Sequence, residues 1–558
     1  MRLIPTWLRR YDRQSLPADA IAGVTIWALM VPQAMAYAGI AGVPVQNGLY
    51  VMPLAVVGYA MFGSSRHLFV GPSATVATLS GSTVAVVATA STGSGEYVAL
   101  TCALTLMVGV IYVAGGLARM GFVSRFFARP VLEGFIVGLG LYIAIGQLPK
   151  VVGIEKPSGD TLAVLAKTIA DVGSWEWTTV AVGVAGLVAL FALARFAPTL
   201  PGVIIVVALA VLAVPALDLQ DHGVAIVGDV PTGFQFVSLS SVSTSDLVDL
   251  LPGALAIVIV GLAQSLAIAK NYAGKYHYPV DANSEMLGYG AANIGAGVLQ
   301  GFTVTGGLSA SATAERVGAK SPLPFLVSGL MALLTILFLA GLFADLPEAI
   351  LGAIVIWAVS GMIRLERITQ YWRAQSLEFW AALGALLGVI LINILPGVAI
   401  GVALSFIMLI HTIDHPHIAS LGRSSDGSRF VDLEDEPDAT PVPGVLIHRF
   451  EAELIFANAD LFQDDVLVRV RAADPTPHTV ILDFEAVSQV DVTGAQTLEA
   501  VHDTLDALGI RLMVARAKGS VRDALRRTGC FEVLGETNFA SSVDGALEAL
   551  EPGAIAAR

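Results

Sequence analysis

Two short apolar segments, each interrupted by glycine and hydroxyl residues, decide how this chain folds: Val70-Gly71-Pro72-Ser73-Ala74-Thr75 and Thr303-Val304-Thr305-Gly306-Gly307-Leu308-Ser309-Ala310-Ser311. They lie at matching places in the two halves of a long hydrophobic chain. In membrane proteins such a pair indicates a binding site built from two broken helices. A helix that begins in mid-membrane directs free backbone N–H groups and the positive end of its dipole toward the space between the halves. The pair therefore predicts a carrier for anions.

The composition places most of the chain in lipid. Of 558 residues, 55 % are hydrophobic and 14 % are charged, whereas soluble domains contain about 25 % charged residues. Residues 1–413 contain 19 Lys/Arg and 20 Asp/Glu, a net charge of −1, and residues 414–558 contain 12 and 25, a net charge of −13. The acidity therefore belongs to a separate C-terminal domain, and it argues against nucleic-acid binding.

Nothing in the sequence indicates an enzyme. Two cysteines, Cys102 and Cys530, are too few for a disulfide framework or a cysteine metal cluster. The sequence also has no nucleotide-binding loop, no metal-spaced His/Cys set and no catalytic triad. We therefore expect a protein without catalytic activity, metal or cofactor.

Apolar stretches of roughly 17–25 residues predict about twelve full membrane spans and two short ones. With both termini placed in the cytoplasm, the inner loops and the N-terminal flank hold 16 Lys/Arg, while the outer loops hold only Lys150, Lys156 and Lys167. This bias predicts fourteen segments in the cytoplasmic membrane with both termini inside. The predicted segments are 19–39, 47–63, 73–90, 97–118, 130–148, 178–197, 202–217, 252–270, 286–301, 308–317, 322–343, 347–363, 377–394 and 397–413.

Fourteen segments divide into two sets of seven. Because seven is odd, the second set runs upside down relative to the first, as in the inverted repeats of many transporters. The two interrupted segments are then the third of each half, and both are expected to be half-helices.

The pattern changes in the C-terminal part of the chain, where strands alternate with helices. The predicted strands are 445–450, 479–484 and 511–515, and the predicted helices are 494–508 and 519–528. This alternation indicates a small α/β domain. The predicted organisation is a cytoplasmic flank over 1–18, a transport domain over 19–413, an acidic linker over 414–442 and the α/β domain over 443–558.

Short motifs allow a comparison with known families. They are Val31–Ala38 in the first span, Phe62–Arg66 and Val70–Pro72 before the third, Ser265–Lys270 and Asp281–Glu285 at the eighth and ninth, and Val304–Gly306 with Gly318–Lys320 around the tenth. Together they resemble the sulfate permease (SulP) family. The C-terminal domain resembles a STAS domain, with Asp491–Gly494 at the motif that anti-sigma antagonists phosphorylate. The resemblance implies a fourteen-segment fold with core and gate subdomains, a cytoplasmic STAS domain and usually a homodimer.

The chain departs from the family pattern at two positions. Gln264 stands where members commonly carry an acidic residue in the eighth helix, and Ala310 stands where many carry an arginine in the tenth. The site that the resemblance implies therefore has no formal charge. This argues against proton coupling through the eighth helix and against an arginine clamp on the anion.

The predicted substrate-binding residues lie at the two breaks and on the helices beside them: Gln33, Ser73, Ala74, Thr75, Gln264, Leu308, Ser309, Ala310 and Ser311. Serine and threonine at a helix start can cap the helix or bind a ligand. Pro32 is expected to break the first span, so that Gln33 faces a cavity. The alternative is structural: small residues let helices pack closely, and Gln264 can form an interhelical hydrogen bond.

Electrostatics bears on the choice of anion. Two helix ends supply about one positive charge, which suits a monovalent anion. Sulfate needs further hydrogen bonds from the side chains of the site. Outside this set, Glu285 is expected to cap the helix that it begins, and Thr493 is a candidate regulatory phosphorylation site.

The predicted function is secondary active transport of an inorganic anion, with sulfate first, by alternating movement of core against gate. Bicarbonate, chloride or a dicarboxylate remain open as substrates, and a proton or sodium remains open as a co-transported ion. The rival interpretations are an anion channel and a sensor whose STAS domain binds a partner. A nucleobase permease would lack the C-terminal domain.

Overall fold

A computed structural model of the protein describes residues 6–9, 11–125, 128–197, 200–319, 321–373 and 377–550. The chain forms two compact units, Met1–Ser405 and Phe406–Arg558. Lys320 in the tenth-segment motif and the predicted STAS residues from 551 onward lie outside the described residues.

The first unit is almost entirely helical. Its only strands among the described residues are β1 (Phe69–Gly71) and β2 (Thr305–Gly307). The helices are α1 (Thr6–Arg9), α2 (Leu16–Ala41), α3 (Val45–Tyr50), α4 (Met52–Phe62), α5 (Ala74–Val87), α6 (Gly95–Leu117), α7 (Arg129–Val152), α8 (Thr161–Ala170), α9 (Trp177–Phe196), α10 (Gly202–Ala216), α11 (Thr244–Tyr276), α12 (Ala282–Val298), α13 (Leu308–Arg316), α14 (Leu323–Leu334), α15 (Glu348–Ser360), α16 (Leu365–Arg373), α17 (Leu377–Leu391) and α18 (Ile394–Asp414), the last of which continues past Ser405.

The helices confirm the predicted all-α membrane domain. Among the described residues, nine helical stretches are long and apolar enough to cross a membrane, and four shorter apolar helices accompany them. Of the two segments predicted to be short, α5 has 14 residues and α13 has 9. The seven-plus-seven inverted repeat stays a prediction.

The predicted break at Pro32 is wrong. The helix α2 runs without interruption from Leu16 to Ala41, with Pro32 inside it. Proline removes one backbone hydrogen bond, but a helix packed on all sides tolerates the loss. Every residue from Met30 to Ala38 is buried by neighbouring helices, so packing holds the helix together across the proline.

The second unit contains a six-stranded sheet in the order β4-β3-β5-β6-β7-β8. The strands β5 to β8 pair in parallel, and β3 and β4 pair antiparallel at one edge. The elements are β3 (Ile418–Arg423), β4 (Phe430–Asp432), β5 (Val445–Phe450), α19 (Ala459–Ala472), β6 (Thr479–Asp483), α20 (Val492–Ala507), β7 (Arg511–Ala515), α21 (Gly519–Thr528), α22 (Cys530–Leu534), β8 (Phe539–Ala540) and α23 (Val543–Glu548). The predicted small α/β domain is confirmed.

Sequence reasoning missed the strands β3 and β4. They lie in the stretch predicted as an acidic linker. Their short, mixed-polarity segments carry no clear alternation of apolar and polar residues, so the sequence pattern did not indicate strands. β3 is a strand because it pairs with β5 over Ile418↔Phe450 to Ser420↔His448, and β4 is a strand because it pairs with β3. Tertiary pairing, which a local pattern does not contain, decides their structure.

Candidate functional site

The two interrupted segments meet in a short antiparallel crossing. Phe69 pairs with Gly307, Val70 with Gly306 and Gly71 with Thr305. Because the strands run in opposite directions, α5 leaves from one end of the ladder and α13 from the other. The ladder is only two residue steps long, about 7 Å of strand. The crossing therefore places two helix starts close together inside the membrane unit.

Glycine is required where the crossing packs against α11. A Cβ atom on Gly306 would lie 2.9 Å from the Oγ atom of Ser265. The same Ser265 hydroxyl accepts a hydrogen bond from the Gly306 N–H at 2.8 Å and lies 2.6 Å from the Thr305 hydroxyl. Close backbone approach and side-chain hydrogen bonds thus fix β2 on α11.

Neither helix start is capped by a side chain. Ser73 occupies the N-cap position of α5, and Gly307 occupies that of α13, and neither makes a side-chain cap hydrogen bond. Serine is a strong capping residue, and Ser94 caps α6 and Ser243 caps α11 in the same unit. The first N–H groups of α5 and α13 are therefore available to a ligand, each with the positive end of a helix dipole behind it.

Ser311, a predicted substrate-binding residue, has a structural role. Its hydroxyl accepts a hydrogen bond from the Phe69 N–H at 2.9 Å and donates one to the Gly307 carbonyl at 2.7 Å. Both bonds stabilise the crossing. They leave the side chain of Ser311 little capacity for an anion.

Three other predicted residues carry polar atoms that are buried without any hydrogen-bond partner among the described residues. These atoms are both amide atoms of Gln33, the Thr75 hydroxyl and the Gln264 Oε1 atom. Gln33 is 0 % exposed and Thr75 is 1 % exposed. Leaving such a group unsatisfied costs about 1–3 kcal/mol, and most buried polar groups have a partner. This concentration of unsatisfied polar atoms indicates a place for water or a polar ligand.

Helix packing brings these residues to the same region. The helix α5, which carries Thr75, packs against α2, which carries Gln33, and against α11, which carries Gln264. The helix α13 also packs against α2. The hydroxyl of Thr303 donates to the Val76 carbonyl at 3.1 Å, which ties the approach to β2 to the first turn of α5.

The remaining predicted residues lie at the same two helix starts. Ala74 and Ala310 are buried, Ser73 is half-buried, and Leu308 and Ser309 are exposed. Small side chains at 74 and 310 leave the backbone open. The site residues have no formal charge, so the positive potential at the two helix starts comes from helix dipoles and hydrogen-bond donors.

Two further predicted residues lie elsewhere. Thr493 is exposed in the first turn of α20 in the second unit, where Asp491 caps the helix through the Gly494 N–H at 2.7 Å.

The predicted capping role of Glu285 is wrong, because Asp281 caps α12. Glu285 is 0 % exposed. It accepts hydrogen bonds from the hydroxyls of Tyr59 and Tyr289, from the N–H and hydroxyl of Ser64 and from the N–H of Ser65.

Glu285 thus joins the end of α4 to α12. Sequence reasoning missed the network around it because its donors lie up to 226 positions away along the chain. The same limit hid Ser265 and Thr305, although their hydroxyl side chains in otherwise apolar segments were a usable signal.

Each of the two units matches a known protein-family model. The model described as the sulfate permease family matches residues 16–385, and the STAS domain model matches residues 436–546. A protein of Mycobacterium tuberculosis named "Probable sulfate transporter" is 34 % identical over 97 % of this chain and 96 % of its own length. "Sulfate transporter 3.1" of Arabidopsis thaliana is 28 % identical over 94 % of this chain and 82 % of its own length.

Solved structures share the fold. The murine Solute Carrier 26 family member A9 anion transporter in the inward-facing state superposes with a TM-score of 0.88 at 24 % identity, covering 97 % of this chain and 92 % of that one. The transmembrane domain of the cyanobacterial bicarbonate transporter BicA superposes with a TM-score of 0.60 at 19 % identity, covering 71 % of this chain and 98 % of that one. At these identities the likeness concerns the fold.

Proposed function

The chain belongs to the sulfate permease family, a family of membrane transporters rather than enzymes, and we propose that it carries an inorganic anion, sulfate first, by secondary active transport. The membrane in question is the cytoplasmic membrane, with both termini inside, in accordance with the charge bias of the loops. The relatives named as sulfate transporters support this choice of substrate.

The observation that carries the proposal is the set of unsatisfied donors beside two uncapped helix starts. The Thr75 hydroxyl and the Gln33 amide are buried without partners, and α5 and α13 begin without side-chain caps. An anion between the helix starts would accept hydrogen bonds from these groups and from backbone N–H groups. It would also remove the cost of leaving the Thr75 hydroxyl and the NH2 group of Gln33 unpaired.

The charge of the site limits which anion binds well. Two helix N-termini supply about one positive charge in total, and sulfate carries two negative charges. Hydrogen bonds from Gln33, Thr75 and the amide of Gln264 disperse the second charge. The neutral site also favours a second candidate, a monovalent anion such as chloride or bicarbonate. A dicarboxylate carries two negative charges, as sulfate does, and needs the same additional hydrogen bonds.

A carrier is favoured over a channel by the rigidity of the crossing. The ladder between β1 and β2 and the two bonds of Ser311 join the starts of α5 and α13. Both halves of the site therefore move together, as a core that moves against a gate requires. A homodimer and a co-transported proton or sodium are further parts of this proposal.

Counterflow in proteoliposomes tests the proposal. Vesicles preloaded with unlabelled sulfate should accumulate external radiolabelled sulfate faster than empty vesicles, because the returning carrier is loaded. The same assay with bicarbonate, chloride and dicarboxylates, with and without sodium, ranks the substrates and the coupling ion. Large conductance without any acceleration by preloading would refute the carrier and favour an anion channel.

A further inference from the structure

A cavity lies about one helical turn from the candidate site. It has a volume of about 340 Å³. Residues of α2, α5, the loop after α5 and the start of α6 form one wall, and residues of α7 and the loop after it form the other. The lining residues include Gly39, Thr78, Thr92, Gly146, Lys150 and Lys156.

The cavity and the candidate site share two helices. Thr78 lies three residues after Thr75 on α5, which is about 4.5 Å along the helix axis. Gly39 lies six residues after Gln33 on α2, which is about 9 Å along that axis. An ion leaving the helix starts along α5 would therefore enter this cavity next.

Among the residues that the structure describes, two lysines are the only charged ones that line it. The sequence places just three Lys/Arg in the predicted outer loops, Lys150, Lys156 and Lys167, and two of the three meet here. A Cβ atom on Gly39 would lie 3.4 Å from the Lys150 Nζ atom, and one on Gly146 would lie 4.0 Å from the Lys156 Nζ atom. Both ammonium groups therefore lie beside the backbone of the cavity wall, in ordinary contact range.

The two lysines differ in their partners. Lys150 forms an ion pair with Glu348, at 3.2 Å between Nζ and Oε2, and Glu348 does not line the cavity. Lys156 makes no hydrogen bond or ion pair with any residue that the structure describes. Partial desolvation by its surroundings and the charge of Lys150 lower the pKa of Lys156. An anion in the cavity would offset both effects.

We propose that this cavity is an outer vestibule that binds the transported inorganic anion between bulk solvent and the helix starts, with Lys156 as the main cation and Lys150 as the second. The inference rests on the proposed function for the identity of its ligand. A cleft of one sign of charge raises the local concentration and the association rate of an oppositely charged ion. The vestibule would thereby compensate for a binding site that has no charge of its own.

The half-saturation concentration for external anion tests the vestibule. Lys156→Gln should raise the external half-saturation concentration for sulfate about threefold at low salt, and less at high salt because the field is screened. Lys156→Arg should retain the wild-type value. Lys167→Gln is the matched control, because it removes the same charge from the same face while its amine bonds the Ser158 carbonyl at 2.7 Å, outside the cavity. Equal effects of the two glutamine variants would overturn the proposal.

A labelling experiment tests the vestibule without transport. Both native cysteines are buried, so Thr92→Cys on the cavity wall gives a single accessible thiol. An anionic thiosulfonate should modify the thiol of Thr92→Cys faster than a cationic one does. Adding Lys150→Gln and Lys156→Gln should lower that rate ratio several-fold. At the reference position, Ser240→Cys in the loop before α11, the ratio should not change.

The two experiments separate the two claims. If the ratio of anionic to cationic labelling rates at position 92 does not change when both lysines are replaced, the vestibule is refuted, whether or not sulfate is carried. A ratio that depends on the lysines, in vesicles that take up no labelled anion, supports an anion-attracting cavity and refutes the proposed transport.

Discussion

Replacing Thr75 by valine should weaken anion binding while it stabilises the empty protein. Valine keeps the shape of threonine and removes the hydroxyl, which is buried and has no partner among the described residues. If this hydroxyl donates to the anion, the lost bond to a charged group is worth about 1.5–3 kcal/mol. Every 1.4 kcal/mol is a factor of ten in affinity, so the half-saturation concentration for sulfate should rise roughly 10- to 150-fold.

The effect on stability should have the opposite sign. An unsatisfied buried hydroxyl costs about 1–3 kcal/mol, so its removal should raise the unfolding temperature of the anion-free protein. The control is Thr101→Val, since Thr101 is also 1 % exposed but donates to the Tyr97 carbonyl of its own helix at 2.9 Å. That variant should lose roughly 0.5–1.5 kcal/mol of stability and keep its half-saturation concentration.

The assays are sulfate uptake into proteoliposomes and thermal unfolding in detergent, with and without sulfate. Sulfate should raise the unfolding temperature of the wild type and of Thr101→Val, and much less that of Thr75→Val, because a ligand stabilises only the state that binds it. If Thr75→Val transports with wild-type half-saturation, or is destabilised as Thr101→Val is, the hydroxyl is not a ligand-binding group.

Three other predictions concern the crossing, the eighth helix and the second unit. Gly306→Ala should abolish uptake at equal membrane abundance, because its methyl would lie 2.9 Å from the Ser265 hydroxyl oxygen. The control Gly173→Ala, which has open space around it, should leave uptake unchanged. Normal uptake by Gly306→Ala would contradict the role of the crossing. Wild-type uptake should change little between about pH 5.5 and 8, since Gln264 has no proton to exchange, and Gln264→Glu should add a dependence on pH; a steep wild-type profile would place coupling elsewhere. Burial lowers the pKa of His448 below its usual 6.5, so the unfolded state binds a proton more readily than the folded state does. The contribution of His448 to the free energy of unfolding should therefore be fully present above about pH 6.5 and should fall as the pH drops toward 5.5. Hydrogen exchange in β5 of the full chain should therefore speed up on acidification, and less so in His448→Phe; equal acid sensitivity in the variant would exclude His448 as the cause.

The helices of the membrane unit were largely predictable because hydropathy is local. Apolar runs and the glycine and proline residues that interrupt them marked α5 and α13 to within a few residues. Pro32 was misjudged because whether proline breaks a helix depends on the neighbours that pack against it. The strands β3 and β4 were missed for the same kind of reason, since β3 depends on pairing with the distant β5, and β4 depends on pairing with β3.

The structure places the predicted site residues at two helix starts and on the helices beside them, but the sequence did not indicate the hydrogen bonds that each one makes. The sequence by itself determined where the two short helices start, and that Gln264 and Ala310 add no charge beside them. Only the tertiary structure decided which hydroxyls remain free. Ser311 is engaged by the Phe69 N–H, 242 positions away along the chain, while Thr75 finds no partner among the described residues. Residue types and their spacing are written in the sequence, whereas the satisfaction of a buried hydrogen-bonding group depends on atoms that only folding brings near.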